Sequence, residues 1–226
     1  MLICDVAVVG AGPAGASAAT SLARAGRDVV VVDKATFPRD KCCGDGLTTL
    51  ALRLAERLGL DPATIPSWTT VSEAVVSGPR GHAVRFPLPD GPGTHAAVAR
   101  RFGAEGFAVA LVSRRSELDA ALVDLARQAG AKVLDGHALL DARETDDRVV
   151  LDVDGIGEVH ARYVVAADGM WSPTRKALGL AEPGYRGEWH AFRGYFRDVS
   201  EAARRHLYVW FEADLLPGYA WSFPLG

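Results

Sequence analysis

The chain has 226 residues, 49% hydrophobic and 23% charged, with a formal net charge of -3. That is long enough to bury a sizeable core and ordinary for a globular protein, and it offers no basic field for nucleic acid, so nucleic-acid binding is excluded. Three cysteines, two of them adjacent at Cys42 and Cys43, suit neither a disulfide framework nor a metal site, and no metal is expected.

The opening apolar stretch lacks a cationic start, carries Asp5 and is broken by Gly10, Gly12 and Pro13, which argues against a secretory signal. No apolar run approaches the roughly 18 to 20 residues of a membrane span. The expected location is the cytoplasm, with peripheral contact at a membrane surface left open.

Val6 to Val9 reads as a buried strand and Ala14 to Ala25 as an Ala-rich helix ended by Gly26. Asp28 to Asp33 reads as a second buried strand, so the opening is a βαβ unit. A polar loop from Lys34 to Gly46 follows, then Leu47, Leu50, Leu54 and Leu58 at helical spacing. Short strands are expected at Val71 to Val76 and Ala83 to Phe86, whereas the stretch from Pro87 to Gly106 takes no assignment. A helix is expected from about Ser116 to Ala129, closed by Gly130, and then strands at Lys132 to Leu134, Ala138 to Arg143, Val149 to Val153 and Tyr163 to Ala166, the middle ones a meander.

Ten of the eighteen aromatic residues lie between Trp189 and Phe223, which puts a domain transition near Pro183. Tyr208 and Trp210 share one strand face, as do Tyr219, Trp221 and Phe223. The expected architecture is α/β: a Rossmann-like, three-layer ββα dinucleotide-binding domain with inserted strands over residues 1–183, and the start of an antiparallel-sheet, aromatic-rich substrate domain over 184–226.

Gly10-Ala11-Gly12-Pro13-Ala14-Gly15 is a G-x-G-x-x-G turn with a strand before and a helix after. The first glycine permits the turn, the second lets backbone amides approach a pyrophosphate, and the third allows helix and strand to pack closely. Asp33 ends the second strand, where a carboxylate can accept hydrogen bonds from a ribose. A dinucleotide site is expected on this spacing. NAD and FAD both use it.

Phe37-Pro38-Arg39-Asp40-Lys41-Cys42-Cys43-Gly44-Asp45-Gly46-Leu47 resembles the geranylgeranyl reductase family of FAD-dependent oxidoreductases, whose members carry a basic residue followed by x-Cys-Gly-x-Gly after the second strand. Cys42 stands where a proline is common. Arg115-Ser116-Glu117-Leu118-Asp119 matches the Arg-x-x-Leu-Asp helix start of the wider superfamily that includes the aromatic hydroxylases. Val164 to Arg175, with Asp168-Gly169, matches its Asp-Gly segment, and Pro217-Gly218-Tyr219-Ala220-Trp221-Ser222-Phe223-Pro224 looks like the P-x-x-Y-x-W-x-F-P signature of the reductases, with one residue in place of two between Pro217 and Tyr219. The later Gly-Asp segment of the family is not in the chain, which therefore reads as an N-terminal portion of a longer reductase.

The resemblance implies FAD as cofactor, held by Gly10, Gly12, Pro13, Ala14, Gly15, Asp33, Lys34, Arg39, Cys43, Gly44, Arg115, Asp168 and Gly169. It implies hydride transfer from reduced flavin to an isolated double bond of a hydrophobic isoprenoid or prenylated-lipid substrate, with electrons from an external donor such as NADPH or ferredoxin. Cys43 is the candidate catalytic residue, a thiol that orients substrate or assists protonation; the alternative is a small residue packed in the loop. Cys42 and Cys4 read as structural. Arg39 either pairs with a flavin phosphate or is a solvated loop charge. Arg115 either meets the cofactor or bridges to Asp119 four residues on. Tyr219, Trp221 and Phe223 either line a prenyl tunnel or pack a sheet.

Two rival readings stay open. An FAD-dependent monooxygenase or halogenase shares the opening and the Asp-Gly segment, although the halogenase pattern W-x-W-x-I-P is met only partly at Tyr219 to Pro224. The other rival is a truncated product without activity, which would show no flavin absorbance.

Overall fold

The computed structural model describes residues 1–226 except Gly44, Ser72, 88–110, Arg186, Trp189 and Gly226. Most of the Pro87 to Gly106 stretch and the cofactor candidate Gly44 therefore lie outside the described residues. The described elements begin β1 (Leu2–Val9), α1 (Pro13–Arg24), β2 (Val29–Asp33), β3 (Gly46–Leu47), α2 (Thr49–Arg57), β4 (Thr69–Thr70), β5 (Glu73–Ser77), β6 (Ala83–Pro87) and β7 (Leu111–Val112). They continue with α3 (Arg115–Gln128), β8 (Lys132–Asp135), β9 (Leu139–Glu144), β10 (Val149–Val153), β11 (Gly157–Ala166), α4 (Pro173–Ala177), α5 (Glu201–Arg205), β12 (His206–Trp210) and β13 (Ala220–Ser222).

Two compact units interleave along the chain, one of residues 1–39 and 118–190, the other of 40–117 and 191–226. The sequence expectation was a linear division near 183. It misses the interleaving because a strand's sequence does not say which sheet it joins: β5 and β6 belong with the aromatic strands, more than a hundred residues away.

The first unit holds a six-stranded sheet in the order β8-β2-β1-β11-β10-β9. β8, β2, β1 and β11 are parallel, and β9 and β10 continue antiparallel from β11 as the expected meander. β2 is buried along Val29 to Val32 because it is central, which explains its unbroken valine run. By alternation Ala7, Val9, Val30 and Val32 share a face, and they join Ala142, Leu151, Val153 and Val159 in one core cluster. The opposite face takes α1, whose Ala16 and Ala19 are buried and small enough for close approach. α1 ends in a Schellman motif: Gly26, at φ +76, donates to the Ala23 carbonyl and Arg27 to that of Leu22.

The second unit holds a four-stranded sheet, β13-β12-β5-β6, and a small antiparallel sheet, β3-β7-β4. The larger sheet is mixed, not purely antiparallel as expected: β12 runs parallel to β5 at its centre, and antiparallel pairs flank them. Val71 and Val112 form a core with Ala74, Leu207, Phe223 and Leu225 around it. Among the described residues no helix is long and apolar enough to cross a membrane.

Leu151 is fully buried in β10, whereas Leu140 in β9 is 62% exposed. Leu151→Ala is expected to lower the unfolding free energy by about 3 kcal/mol through the cavity it leaves, and Leu140→Ala to stay within about 0.5 kcal/mol. Urea unfolding of the two variants, followed by far-ultraviolet circular dichroism, measures both.

Candidate functional site

In the first unit the C-terminal ends of three parallel strands converge. Gly10 donates to the Val32 carbonyl at 2.8 Å, and Ala167 donates to that of Val9 at 2.8 Å, so β2, β1 and β11 are aligned where the Gly10 turn begins. Gly10 has φ +96, and a Cβ there would overlap the Ala167 carbonyl and lie 2.8 Å from the Asp168 Cα. A Cβ at Gly15 would overlap the Gly10 carbonyl oxygen. Among the described residues a Cβ at Gly12 would meet only Arg39 Nη2, at 3.6 Å, so no other described atom fills the space above the second glycine, which a guanidinium borders. The turn places the first amides of α1 beside that space; the N-cap Gly12 has no side chain to cap them, and among the described residues no capping hydrogen bond to them is seen, while Pro13, at the first helical position, has no N–H to satisfy. Pro13 and Ala14 are exposed.

Asp33 ties β2 to this turn. Its Oδ2 accepts from the Ala11 amide at 2.7 Å and its Oδ1 from the Ala35 amide at 2.8 Å. Each oxygen keeps a further lone pair. Lys34 beside it is exposed.

Arg39 is neither a solvated loop charge nor free. Its Nη1 lies 2.6 Å from Oδ2 of Asp119, whose side chain is wholly buried, and its guanidinium carbon stands 5.0 Å from the centre of the Phe37 ring. Asp119, which the sequence offers as one of two alternative partners for Arg115, also anchors Arg39 beside Gly12.

Asp168 follows β11. Its Oδ2 accepts from the Thr174 amide at 2.8 Å and hydroxyl at 2.7 Å, while its buried Oδ1 has no partner among the described residues. Gly169 has φ +85, and a Cβ there would meet nothing within 4 Å among the described residues. An unsatisfied buried carboxylate oxygen costs about 1 to 3 kcal/mol unless a ligand donates to it. Uncapped helix amides, open space over Gly12, an oriented guanidinium and an orphaned acceptor fit a dinucleotide that brings both phosphates and hydroxyl donors.

In the second unit Cys42 is exposed and Cys43 half-buried. Asp45, two residues on, takes a left-handed φ of 60 and is 4% exposed. Its carboxylate accepts from the Tyr195 hydroxyl at 2.9 Å and the Arg115 amide at 3.3 Å, and its carbonyl from the Ser113 amide at 3.0 Å. Arg115 thus opens α3 against the cysteine loop, its backbone engaged with Asp45. Arg193 pairs with the same carboxylate at 3.3 Å and with Asp40. Asp45, Arg193 and Tyr195 escaped the sequence reading. Nothing in the pattern around 193 marks it, although an aspartate inside a glycine-rich loop is the residue type that tolerates left-handed backbone.

The aromatic faces are confirmed in register but differ in use. Tyr208 and Trp210 stack at 5.3 Å, and Tyr219, Trp221 and Phe223 form a run at 5.7 and 6.5 Å. Phe223 packs in the core and would lie 3.3 Å from a Cβ at Gly46, whereas Tyr219 is 53% exposed. Cys4 is an inert thiol: burial, then Asp28, pushes it up to about 11.

The profile described as FAD binding domain matches residues 3–214. Menaquinone reductase of Mycolicibacterium smegmatis is 38% identical to the chain, over 98% of this chain and 52% of that protein. Digeranylgeranylglycerophospholipid reductase 2 of Methanopyrus kandleri is 34% identical, again over 98% and 52%. The chain spans about half the length of these curated relatives. The solved structure of a geranylgeranyl bacteriochlorophyll reductase-like protein from Thermoplasma acidophilum superposes with a TM-score of 0.74 at 24% identity, over 100% of this chain and 54% of that one.

Two measurements probe this geometry. Arg39→Met strips the buried Asp119 of its guanidinium and is expected to cost about 3 kcal/mol in urea unfolding, with the Arg39→Met/Asp119→Leu double variant losing clearly less. Partial burial, together with the Asp45 carboxylate that accepts its hydrogen bond, pushes Tyr195 up to about 12. The fold therefore favours its neutral form; the associated stability is present below the ordinary tyrosine value of about 10 and is lost as pH rises through about 12. Absorbance at the tyrosinate band should show a late step that Tyr195→Phe removes.

Proposed function

The chain belongs to the FAD binding domain family, with FAD as its cofactor, and from that premise we propose that the intact protein reduces carbon-carbon double bonds in an isoprenoid chain. The observation that carries the cofactor half of this reading is the uncapped N-terminus of α1 over Gly12, with the orphaned Asp168 Oδ1 close to the same glycine turn. The substrate half rests on the cysteine-loop and terminal aromatic motifs. It is supported by relatives named as reductases of menaquinone and of digeranylgeranylglycerophospholipid.

In this reading the first amides of α1 take the pyrophosphate, and Gly10 and Gly15 let the backbone come close enough to do so. Arg39, fixed by Asp119, adds a positive charge beside Gly12. Asp33 offers its remaining lone pairs to ribose hydroxyls, and Asp168 Oδ1 takes a hydroxyl donor. Lys34, Gly169 and the backbone of Arg115 are further binding candidates. When bound and reduced, the FAD held by these residues would supply hydride-transfer chemistry for an alkene. Cys43 orients the alkene and assists delivery of the proton to one of its carbons. Tyr219 and Trp221 offer apolar surface to the prenyl chain; Phe223 does so only at its edge, because its ring is committed to the core. Electrons come from an external carrier, NADPH or ferredoxin.

The test begins with flavin absorbance of the purified protein and FAD titration, in which Gly12→Glu, placing a carboxylate where the phosphates would sit, should weaken affinity at least about a hundredfold. Dithionite-reduced holoprotein is then given a geranylgeranylated lipid and the product mass read for each added pair of hydrogens. Cys43→Ser should keep FAD and lose at least about tenfold in turnover. Bound and reducible flavin with every double bond left intact would refute the reductase reading. Oxygen-dependent product would transfer it to a monooxygenase.

A further inference from the structure

We propose that Arg193 is a positioning residue that staples the two-cysteine loop closed and so holds Cys43 in one presentation; this rests on the role given to Cys43 above. One guanidinium reaches both sides of the cysteine pair. Its Nη1 donates to the Lys41 carbonyl at 3.1 Å and lies 3.3 and 3.5 Å from the two carboxylate oxygens of Asp45, and its Nη2 donates to Asp40. The anchors at 40, 41 and 45 therefore bracket Cys42 and Cys43. A planar fork with several donors can hold three such points at once, which a single lysine ammonium cannot.

The surroundings favour a fixed guanidinium. Arg193 is 11% exposed and Asp45 4%. Tyr195 donates to Asp45 and lays its ring 4.4 Å from the guanidinium carbon, so both ends of the ion pair are held. The left-handed backbone at Asp45 is offset by four contacts, from Ser113, Arg115, Tyr195 and Arg193. The Cys42 thiol adds a weak tie to the Ala191 carbonyl at 3.8 Å.

The chain around Arg193 inverts the usual preference. Residues 190–196 form no helix or strand, and they bury the arginine while leaving Phe192 94% and Phe196 82% exposed. Segments that fold for packing bury the aromatics and expose the cation. Here the local conformation is organised around the guanidinium and the loop it grips.

The test is alkylation of Cys43 by iodoacetamide in a Cys42→Ser background, read by mass spectrometry, with protection of Cys4 reporting that the fold is intact. Arg193→Ala is expected to raise the Cys43 rate about tenfold, the signature of a loop released by roughly 1.4 kcal/mol. Added methylguanidinium should restore slow labelling and methylammonium should not, a rescue that a general loss of stability would not give. Asp40→Asn, which removes one exposed anchor, should give a smaller increase and decides the matter if Arg193→Ala exposes Cys4. A wild-type Cys43 rate in whichever of these variants is folded overturns the staple, as does a faster rate in folded Arg193→Ala that is indifferent to methylguanidinium. Neither flavin nor substrate is needed. Full turnover by Cys43→Ser would thus sink the role of Cys43, a separate result from the alkylation.

Discussion

The carbonyl oxygen of Gly10 occupies the space where a side chain at position 15 would stand, and the backbone of Ala167 and Asp168 occupies the space of a side chain at position 10. These two close approaches let β1 hand directly to α1 while β11 runs alongside. The ends of three parallel strands are thereby brought to one turn, with helix amides pointing out of it. The cofactor features of the first unit depend on this contact. Asp33 can brace the turn from β2 because β2 is the neighbour of β1, and Asp168 reaches it because β11 lies on the other side. A side chain at Gly15 would push α1 off the turn, and one at Gly10 would part the turn from the end of β11.

Charge in the molecule is placed with the same economy. The buried Asp119 is neutralised by Arg39 and the buried Asp45 by Arg193, and each arginine also stands at a candidate functional element. Buried ion pairs contribute little net stability compared with apolar packing, so their value lies in fixing one geometry. Arg39 is thereby held beside Gly12 without the mobility of a surface side chain, and the residues on either side of the cysteine pair are tied to Arg193.

The aromatic strands show how one sequence pattern serves two ends. Period-two alternation places Tyr219, Trp221 and Phe223 on one face, yet depth differs along it: Phe223 closes the core with Val71 and Val112, while Tyr219 stays half in solvent. Core packing and surface exposure are therefore not alternatives for the run as a whole; they are divided among its members according to distance from the core.

The amino-acid sequence by itself determined the βαβ opening, the helix at α3, the meander, the pairing of faces in the aromatic strands and the family to which the chain belongs. All of these follow from short-range rules: residue periodicity, glycines at obligatory turns and ordered motifs. Only the tertiary structure decided that β5 and β6 join the sheet of β12, that Asp119 pairs with Arg39 across 80 residues, and that Arg193 pairs with Asp45 some 150 residues before it. A charge pair leaves no periodic trace in a sequence, because any arginine can meet any aspartate once the chain has folded. Which pair forms is set by where the backbone places them, and that placement is the product of strand pairing and burial acting over the whole chain.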